Sequence, residues 1–456
     1  MKKIIAILLT SIFCFVFYSC NKIESSDVIN GITSEIAETI FSKQTKNNSA
    51  TKQVIENEDV SITTDFTSSE HSTEITSFTL PKSIIKANEF AIKMLKEAIK
   101  QQTNAVISPV SLITALSMTA NGAKNQTLFE IEKVLGDELN NLNRNYSKHS
   151  IDGNGIKTAN SIWIKNSPEL KIKQRFIEIN KKHYGAEIFK EEFDGSTLKN
   201  INGWISDNTD GLIKNALEEL PADAVMYLIN TVLFNAEWKN KFNSDQVIEN
   251  QDFYTENGKK QKVSMLSDEM DANEYNYFKL GKTQGIIKEY TNGYSFAALL
   301  PDEGVNISEA LDSFTGNQLS YTLAKKANNT NYKNGVFLLL TKIPKFEFNC
   351  SFKFVDTLIN LGMPLAFNPN KADFSGIADT KEKPLFISEV YHNTSISFTE
   401  NGTKAGAATV VEMKFGSARI PENTKTLYFN RPFIYIIFKS DTATPLFVGT
   451  VRDFDN

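Results

Sequence analysis

Few side chains in this sequence have the types and spacing that catalysis or metal binding requires. The four histidines are too few and too scattered for a histidine-based metal centre: His71, His149, His183 and His392. No G-x-S-x-G elbow, H-E-x-x-H pair, P-loop or EF-hand loop is present. Distant serine, histidine and aspartate side chains could still meet in the fold, but nothing in the sequence favours it. We therefore predict that the chain is not an enzyme and uses no metal or cofactor.

One segment near the C-terminus alternates with a period of two. One parity is small or apolar throughout, namely Thr403, Ala405, Ala407, Thr409, Val411, Met413 and Phe415. The other parity carries every charge of the segment, and consists of Lys404, Gly406, Ala408, Val410, Glu412 and Lys414. Such alternation predicts a β-strand with one buried face. The pattern alone leaves open whether this strand is a permanent member of a sheet.

Composition excludes several classes of protein. The chain has 456 residues, of which 41% are hydrophobic and 23% charged, as in ordinary globular proteins. Because domains average roughly 100–200 residues, this length suggests about three of them. A net charge of −5 lacks the basic excess of a nucleic-acid binder. Three cysteines in so long a chain exclude a disulfide scaffold, and Cys350 is predicted to be a buried structural thiol.

The N-terminus is predicted to be an export signal. A basic start is followed by a mostly apolar run over 4–18, which is short for a membrane span and suits a signal-peptide core. The run ends at Ser19-Cys20, which resembles the bacterial lipobox, where the cysteine is lipidated. Phe17 and Tyr18 depart from that pattern, so a plain secretory signal is the alternative. The prediction is an outer-membrane lipoprotein facing the surface or periplasm of a Gram-negative bacterium, or otherwise a secreted protein.

The rest of the chain divides into a tether and one long folded unit. Residues 21–80 contain 10 Ser and 10 Thr without a sustained apolar period, and are predicted to be a flexible stalk. Residues 81–456 contain no linker. Helical spacing predicts helices over about 84–101 and from Ser108-Pro109 to Gly122, and Gly153-Asn154-Gly155 is predicted to be a turn. Apolar runs predict strands at 226–234, 336–340, 433–438 and 445–451, so the fold class is α+β.

Seven segments, in this order, resemble the serpin family. They are Asn104–Ser111 with Ala120–Ala123 and Thr127; Leu228–Phe234 with Trp238 and Phe242; Ile343–Phe346; Leu361–Met363 with Ala366-Phe367 and Phe374–Ile377; Ile387–His392; Glu400–Ala408; and Phe429–Phe433 with Leu446–Gly449. Each motif alone is weak, but their order and spacing together identify residues 81–456 as a member of this family of serine protease inhibitors.

The resemblance implies a fold of three sheets and about nine helices with an exposed reactive-centre loop. In the family, a target protease cleaves this loop and becomes acylated, and the loop then inserts into the central sheet as a new strand. The protease is dragged across the molecule and distorted before deacylation. On this basis the alternating segment is the inserting loop, and its hinge comprises Glu400, Gly402, Thr403, Ala405, Gly406, Ala407 and Ala408.

The resemblance also assigns residues to the sheet that must open. A polar cluster beneath the central sheet is matched by Ser108, Ser111, Asn121, Asn230 and His392. Lys345 and Glu400 match an ion pair where the loop enters, and Trp238 matches a packing tryptophan there. A simpler interpretation of the cluster is a buried hydrogen-bond network whose groups all have partners. For the tryptophan, the simpler interpretation is ordinary packing in the core.

The cleaved bond is located only approximately. Counting forward from Glu400 by the usual family distance gives Gly416-Ser417, whereas counting back from Phe429 gives Pro421-Glu422. The loop is thus about five residues longer than the common pattern. Candidate bonds follow Lys414, Phe415, Gly416 or Arg419. Phe415 suits a chymotrypsin-like pocket, Gly416 an elastase-like one, and Lys414 or Arg419 a trypsin-like one.

Three functions remain at this point. The sequence favours a monomeric inhibitor that forms covalent complexes with serine proteases. Cysteine proteases are a further class of candidate target. The protein would contact a membrane only through a lipid anchor. The alternative is a non-inhibitory serpin acting as a binding or chaperone-like envelope protein. Hinges of that class are often charged or bulky, whereas 403–408 is mostly small, which favours inhibition. An envelope enzyme has no motif in its support.

Overall fold

Helices come first along the chain and strands dominate its second half. The structure is a computed structural model that describes residues 79–148, 153, 155–168, 170–214, 216–220, 224, 226–272, 277–324, 337–379, 385–403 and 424–455. The described residues form nine α-helices: α1 Lys82–Gln101, α2 Pro109–Ala120, α3 Asn125–Leu135, α4 Leu139–Asn145, α5 Gln174–Tyr184, α6 Gly195–Asn208, α7 Ile307–Asp312, α8 Gly316–Ala324 and α9 Val355–Leu361. Short 3-10 turns occupy Ser244–Gln246 and Pro364–Phe367.

Two N-terminal helices follow the signals in the sequence. In α1, the buried residues Phe90, Ala91, Met94, Leu95 and Ala98 repeat at helical spacing, so one face packs into the core. Helix α2 begins where the Ser108 hydroxyl accepts a hydrogen bond from the backbone N–H of Ser111, with Pro109 as its first residue. Both helices agree with the predicted positions to within two residues.

A six-stranded sheet forms the main wall of the core. Its order is β1-β19-β18-β11-β10-β9, and all its pairings are antiparallel. The bounds are β1 Ala105–Ile107, β9 Tyr277–Leu280, β10 Thr283–Glu289, β11 Tyr294–Pro301, β18 Phe433–Lys439 and β19 Pro445–Val451. Strands β11 and β19 are buried along their whole length, which explains their continuous apolar runs. The strands predicted at 433–438 and 445–451 are therefore confirmed as β18 and β19, which pair antiparallel.

A four-stranded sheet lies to one side, in the order β17-β12-β8-β7. Its strands are β7 Val247–Tyr254, β8 Lys260–Ala272, β12 Phe337–Pro344 and β17 Thr424–Tyr428. Strand β17 runs parallel to β12, whereas the other pairs are antiparallel. Strand β12 extends beyond the predicted apolar run because Thr341 and Lys342 continue the ladder opposite Asp268 and Ser267.

The remaining large sheet is divided into two parts. One part has the order β4-β2-β5 and the other β13-β15-β16-β6. Their bounds are β2 Ile156–Lys165, β4 Glu187–Glu191, β5 Met226–Phe234, β6 Ala236–Glu237, β13 Phe346–Lys353, β15 Tyr391–Phe398 and β16 Gly402–Thr403. Strand β5 runs into β6 after the single residue Asn235, so the two parts are continuous at that end. A separate two-stranded ladder joins β3 Lys171–Ile172 to β14 Ala378–Asp379.

The core lies between these sheets and the helices. Large side chains such as Phe296, Phe398 and Tyr435 are almost fully buried within it. All described residues fall in one compact unit, whereas length had suggested about three domains. The predicted turn at 153–155 agrees with the structure, since Gly153 and Ile156 exchange backbone hydrogen bonds of 3.0 and 2.9 Å. No helix in the described ranges is long and apolar enough to cross a membrane.

Candidate functional site

The division of the large sheet leaves two strand edges facing each other without a ladder between them over most of their length. Strand β5 pairs with β2, and β15 pairs with β13. Between them, the described residues contribute only β16, whose Thr403 pairs with Phe398 of β15 and with Ala236 of β6. Because β16 is antiparallel to both neighbours, a strand continuing from it would be antiparallel to both edges. We call this opening the gap.

Two cavities follow the gap. A cavity of about 100 Å³ is lined by α2, α6, β5 and the chain entering β15, with Ser111, Ile229, Asn230, Tyr391 and His392 among its residues. A smaller one of about 30 Å³ lies below Thr403, and its lining includes Val232, Phe234 and Ile396. Both are lined by residues of β5 and of β15. The space between the strands is therefore incompletely filled, which leaves apolar surface available to a further strand.

Gly402 and Thr403 already occupy the entrance of the gap. Gly402 has a φ of +152°, and a Cβ atom there would lie 2.1 Å from the carbonyl oxygen of Ala236, so only glycine fits. Thr403 is 3% exposed, and its hydroxyl lies 2.6 Å from the Tyr290 hydroxyl. Burial raises the pKa of Tyr290, so the phenol stays protonated as a hydrogen-bond partner. The first two hinge residues in the gap are thus held by shape and by one buried hydrogen bond.

Trp238 supports the segment that leads to this entrance. Its indole N–H donates to the carbonyl of Thr399 at 2.9 Å, and its backbone N–H donates to that of Asn401 at 3.0 Å. The ring is 1% exposed and stacks on Tyr290, with centroids 4.2 Å apart and 12° between the planes. The predicted packing tryptophan is therefore a core residue and also a hydrogen-bond partner of the entering chain.

Lys345 and Glu400 form the predicted ion pair at the same end. The Lys345 ammonium lies 2.7 Å from a Glu400 carboxylate oxygen, and the two side chains are 33% and 30% exposed. Partial burial opposes ionisation of Glu400, but the hydrogen bond from Lys345, a backbone hydrogen bond and the charge of Lys345 together outweigh it and lower the pKa of the carboxyl group. A pair this accessible contributes little to stability, so its significance lies in where it holds the chain.

The predicted polar cluster separates into two hydrogen-bonded groups. In the first, the backbone N–H of Ser108 donates to His392 Nε2 at 2.9 Å, and the Ser108 hydroxyl accepts from the backbone N–H of Ser111 at 3.3 Å. His392 is 4% exposed, and burial lowers its pKa to about 3. Since Nε2 accepts a hydrogen bond, the ring is neutral with its proton on Nδ1. This group ties α2 to the edge strand β15.

The second group is a chain of asparagines with one tyrosine. Asn121 and Asn143 exchange hydrogen bonds of 2.8 and 3.0 Å, and the Tyr184 hydroxyl donates to Asn143 at 2.7 Å. The carbonyl of Tyr184 accepts from Asn160, whose own oxygen accepts from Asn230, both at 2.7 Å. The chain therefore runs from the end of α2 to the edge strand β5. Asn230 Oδ1 has no hydrogen-bond partner among the described residues.

Sequence reasoning missed the middle of this chain, namely Asn143, Asn160, Asn180 and Tyr184. Asn180 accepts a 3.3 Å hydrogen bond from Asn121 and is fully buried. Asparagine in helices and strands is usually exposed, and no local pattern distinguishes a buried amide from an exposed one. The only available signal was the position of Asn160 within a strand that is otherwise almost continuously buried.

We predict that His392 makes the stability of the protein depend on pH. Its folded-state pKa of about 3 lies below the unfolded value near 6.5, so its contribution is complete above about pH 6.5 and declines as the pH falls towards 3. At pH 5 the loss is about 2 kcal/mol. We expect His392→Gln, measured by urea unfolding between pH 7 and 5, to flatten this slope. His183→Gln on α5 serves as the control, and an unchanged slope in the His392 variant would contradict the assignment.

Several predicted residues lie outside the described residues. They are Cys20, the later hinge residues Ala405, Gly406, Ala407 and Ala408, and the cleavage candidates Lys414, Phe415, Gly416, Ser417 and Arg419. Their roles stay predictions. Cys350 is buried, and burial raises the pKa of its thiol to about 11, which fits an inert structural cysteine. The described part of the chain holds no cluster of three or more His, Cys, Asp or Glu suited to a metal ion.

Comparison with known proteins places this geometry among related chains. The family model described as Serpin (serine protease inhibitor) matches residues 86–454. Alpha-1-antiproteinase S of Cavia porcellus is 29% identical over 396 residues, covering 82% of this chain and 90% of its own length. Alpha-1-antitrypsin 1-2 of Mus musculus is 30% identical over 388 residues, covering 80% and 87%. The native-state structure of the thermophilic serpin tengpin is 36% identical, with a TM-score of 0.72, and covers 86% of this chain and 98% of that one.

Proposed function

Because this chain belongs to the serpin family, whose members are generally protease inhibitors, we propose that it traps serine endopeptidases by inserting its cleaved loop into the gap. The serine oxygen of the protease would attack the carbonyl carbon of the scissile bond, and the peptide C–N bond would break. The serine hydroxyl proton would pass to the nitrogen, giving a new amine at the start of the C-terminal part, and the N-terminal part would remain as an ester on the protease. Insertion before water reaches that ester would give a lasting complex.

The observation that carries this proposal is the register of Thr403 between its two neighbours. In an antiparallel ladder, each step forward on one strand is a step backward on its partner. From the pairs Thr403–Phe398 and Thr403–Ala236, Ala405 would therefore lie between Ile396 and Phe234. By the same count, Ala407 would lie between Thr394 and Val232.

The same register places polar groups together two residues further on. Thr409 would lie between His392 of β15 and Asn230 of β5. Asn230 Oδ1 is a buried acceptor without a partner, and a threonine hydroxyl supplies a donor. One group of the polar cluster thus ends at His392 and the other at Asn230, on opposite edges of the gap. Both would lie beside Thr409, the only residue within 404–413 with a hydroxyl group.

The alternation of the loop fits the faces of the gap. His392, Thr394, Ile396 and Phe398 are the buried residues of β15, and the register sets them opposite Thr409, Ala407, Ala405 and Thr403. The small or apolar parity would therefore join the core face, whereas Lys404, Glu412 and Lys414 would lie on the other face. A single shift in register would reverse this arrangement and bury the charges.

The test of this function is formation of an adduct that survives denaturation. The full-length protein is mixed with trypsin, chymotrypsin, elastase and a cathepsin-type cysteine protease, and the products are separated on SDS gels. We expect at least one serine protease to give a band at the summed mass less that of the C-terminal fragment, and the mass of the released fragment locates the bond by mass spectrometry. Cleavage by every protease without any adduct would contradict the proposal and favour a non-inhibitory binding protein.

The choice of protease also tests the candidate bonds. Trypsin is expected to cut after Lys414 or Arg419, chymotrypsin after Phe415, and elastase after Gly416. In this register, Met226, the first residue of β5, lies opposite residue 413. A cut after Arg419 would therefore leave six residues beyond the gap, and a cut after Gly416 would leave three. Since an extended residue spans roughly 3.4 Å, the longer arm would hold the protease less tightly. The better sites are therefore Lys414, Phe415 and Gly416, and we propose as targets the trypsin-like, chymotrypsin-like and elastase-like enzymes that cut there rather than after Arg419.

We also propose that the inhibitor acts outside the cytoplasm. The support is the apolar run over 4–18 followed by Ser19-Cys20, together with the Ser- and Thr-rich stalk over 21–80. Residues 1–78 lie outside the described part of the chain, so the lipid anchor and the stalk stay predictions. An envelope tether would present the inhibitor to host or neighbouring-microbe proteases.

A further inference from the structure

A buried ion pair joins two sheets beside the entrance of the gap. Lys288 of β10 and Asp268 of β8 lie 2.7 Å apart between Nζ and Oδ2, and their side chains are 7% and 14% exposed. Taking two charges out of water costs free energy, and apolar replacements of similar volume are often as stable or more so. Stability alone therefore does not explain why this buried pair is present. Its position in the fold indicates another role.

On its cationic side, the pair contacts the rings that hold the entering chain. Lys288 Nζ lies 4.3 Å from the centroid of the Phe242 ring and 5.9 Å from that of Trp238. The backbone N–H of Phe242 donates to the carbonyl of Glu400 at 3.1 Å, and that of Trp238 donates to Asn401 at 3.0 Å. Lys288 thus fixes the rings whose own backbone holds residues 400 and 401, immediately before the hinge.

On its acidic side, the pair contacts the sheet that receives the chain after the loop. Asp268 is opposite Thr341 of β12, whose hydroxyl donates to the Asp268 carbonyl at 3.4 Å. Thr341 is in turn paired with Leu427 of β17, the first described strand after residue 403. One ion pair therefore connects the supports of both chain segments that flank 404–423.

We propose that Asp268 and Lys288 are positioning residues that hold the two flanking segments of the loop in a fixed relation, so that the cleaved loop enters the gap before the ester hydrolyses. This inference rests on the proposed function. Without the pair, the Trp238 and Phe242 rings lose the charge that orients them, and residues 399–403 lose a defined starting geometry. Entry then slows relative to hydrolysis, and more molecules are consumed as substrate for each protease trapped.

The test uses the double variant Asp268→Leu/Lys288→Met, which removes both charges and leaves neither one buried alone. We expect the number of inhibitor molecules consumed per trapped protease to rise at least fivefold. The rate of loop cleavage and the melting temperature should stay within error of the wild type or rise. Lys239→Met is the matched control, since Lys239 forms an exposed pair with Glu289, the neighbour of Lys288. An unchanged consumption ratio in the double variant would overturn the proposal.

A second measurement needs no protease and separates this inference from the function on which it rests. Hydrogen exchange by mass spectrometry reads the backbone amides of Trp238 and Phe242, whose acceptors are Asn401 and Glu400. We expect exchange at these amides to accelerate at least tenfold in the double variant and to stay unchanged in β11. Failure of the wild type to form any adduct would refute the proposed function alone. Unaltered exchange at both amides would refute the positioning role, whatever the protease assay shows.

Discussion

Replacing Thr403 with arginine is expected to convert the protein from an inhibitor into a substrate. Thr403 is 3% exposed between β15 and β6, with its hydroxyl 2.6 Å from that of Tyr290. Burying a guanidinium there would cost several kcal/mol, so before cleavage the variant would hold residue 403 out of the gap, and insertion would have to meet that cost. Because each 1.4 kcal/mol is about a tenfold change in rate, insertion would slow by well over tenfold relative to deacylation. The variant should yield cleaved protein and active protease, measured as adduct per inhibitor on SDS gels.

The matched control is Lys404→Arg, which places the same side chain one residue further along. The register assigns residue 404 to the parity that carries the charges, so this variant should trap protease at the wild-type ratio. Adduct formation by Thr403→Arg at the wild-type level would contradict insertion through this entrance. Equal losses in both variants would show that the parity assignment is wrong.

Cleavage of the loop without trapping is expected to stabilise the protein by a large amount. Insertion would give β5 and β15 ladder partners along edges that have none among the described residues below Thr403. Backbone hydrogen bonds contribute roughly 0.5–1.5 kcal/mol each, and ordering a residue costs roughly 1–2 kcal/mol, so these terms nearly cancel. The surplus would come from burying the apolar parity, at about 25 cal/mol per Å².

Calorimetry on nicked protein measures this surplus. Since 1 kcal/mol moves the melting temperature of a large domain by roughly 2–4 °C, a gain of several kcal/mol would raise it by roughly 10 °C or more. Mass spectrometry confirms that only the loop is cut. Nicked Thr403→Arg should show a much smaller rise, because its loop enters poorly. A wild-type melting temperature that does not rise after nicking would contradict insertion.

The helices and buried strands could be predicted from local pattern because each buries a regular face. Helix α1 was predicted at about 84–101 and lies at Lys82–Gln101, directly after Pro81. Strand β5 was predicted at its observed bounds, since 226–234 is a continuous apolar run broken only by Asn230 and Thr231. Strand β12 was predicted too short, because the polar residues Thr341 and Lys342 interrupt the apolar run while their backbone continues the ladder.

The site was only partly predictable because its polar groups come from distant parts of the chain. The resemblance supplied Ser108 and His392, which the fold brings within one hydrogen bond across 284 positions. It also grouped Asn121 and Asn230, which the structure connects only through Asn143, Tyr184 and Asn160. No spacing rule relates those five residues, because a hydrogen-bond chain needs tertiary contact and leaves no period in sequence.

The ion pair of Lys288 and Asp268 was equally invisible in the sequence. Lys288 follows the apolar pair Ile286-Ile287 near the end of a strand, where a lysine is ordinarily solvated. Only the fold, which brings Asp268 and the Trp238 and Phe242 rings beside Lys288, shows that its ammonium group is buried. Whether such a charge is buried depends on tertiary contacts, whereas the alternation of 403–415 can be read from the local sequence.

The placement of β16 has a consequence for the order of folding. Residues 399–401 connect β15 to β16 as a short turn, so the strand predicted to fill the gap is a hairpin partner of β15. Hairpins close in about 1–10 μs, whereas pairings between distant segments form far more slowly. Strand β17 belongs to another sheet and follows the loop, so it also leaves the ribosome later. If insertion is downhill, an active molecule requires β17 to dock beside β12 before that hairpin lengthens. The state with the loop outside the gap is then selected by folding rates during synthesis. A refolding experiment carried to equilibrium would give a lower yield of this state than synthesis does.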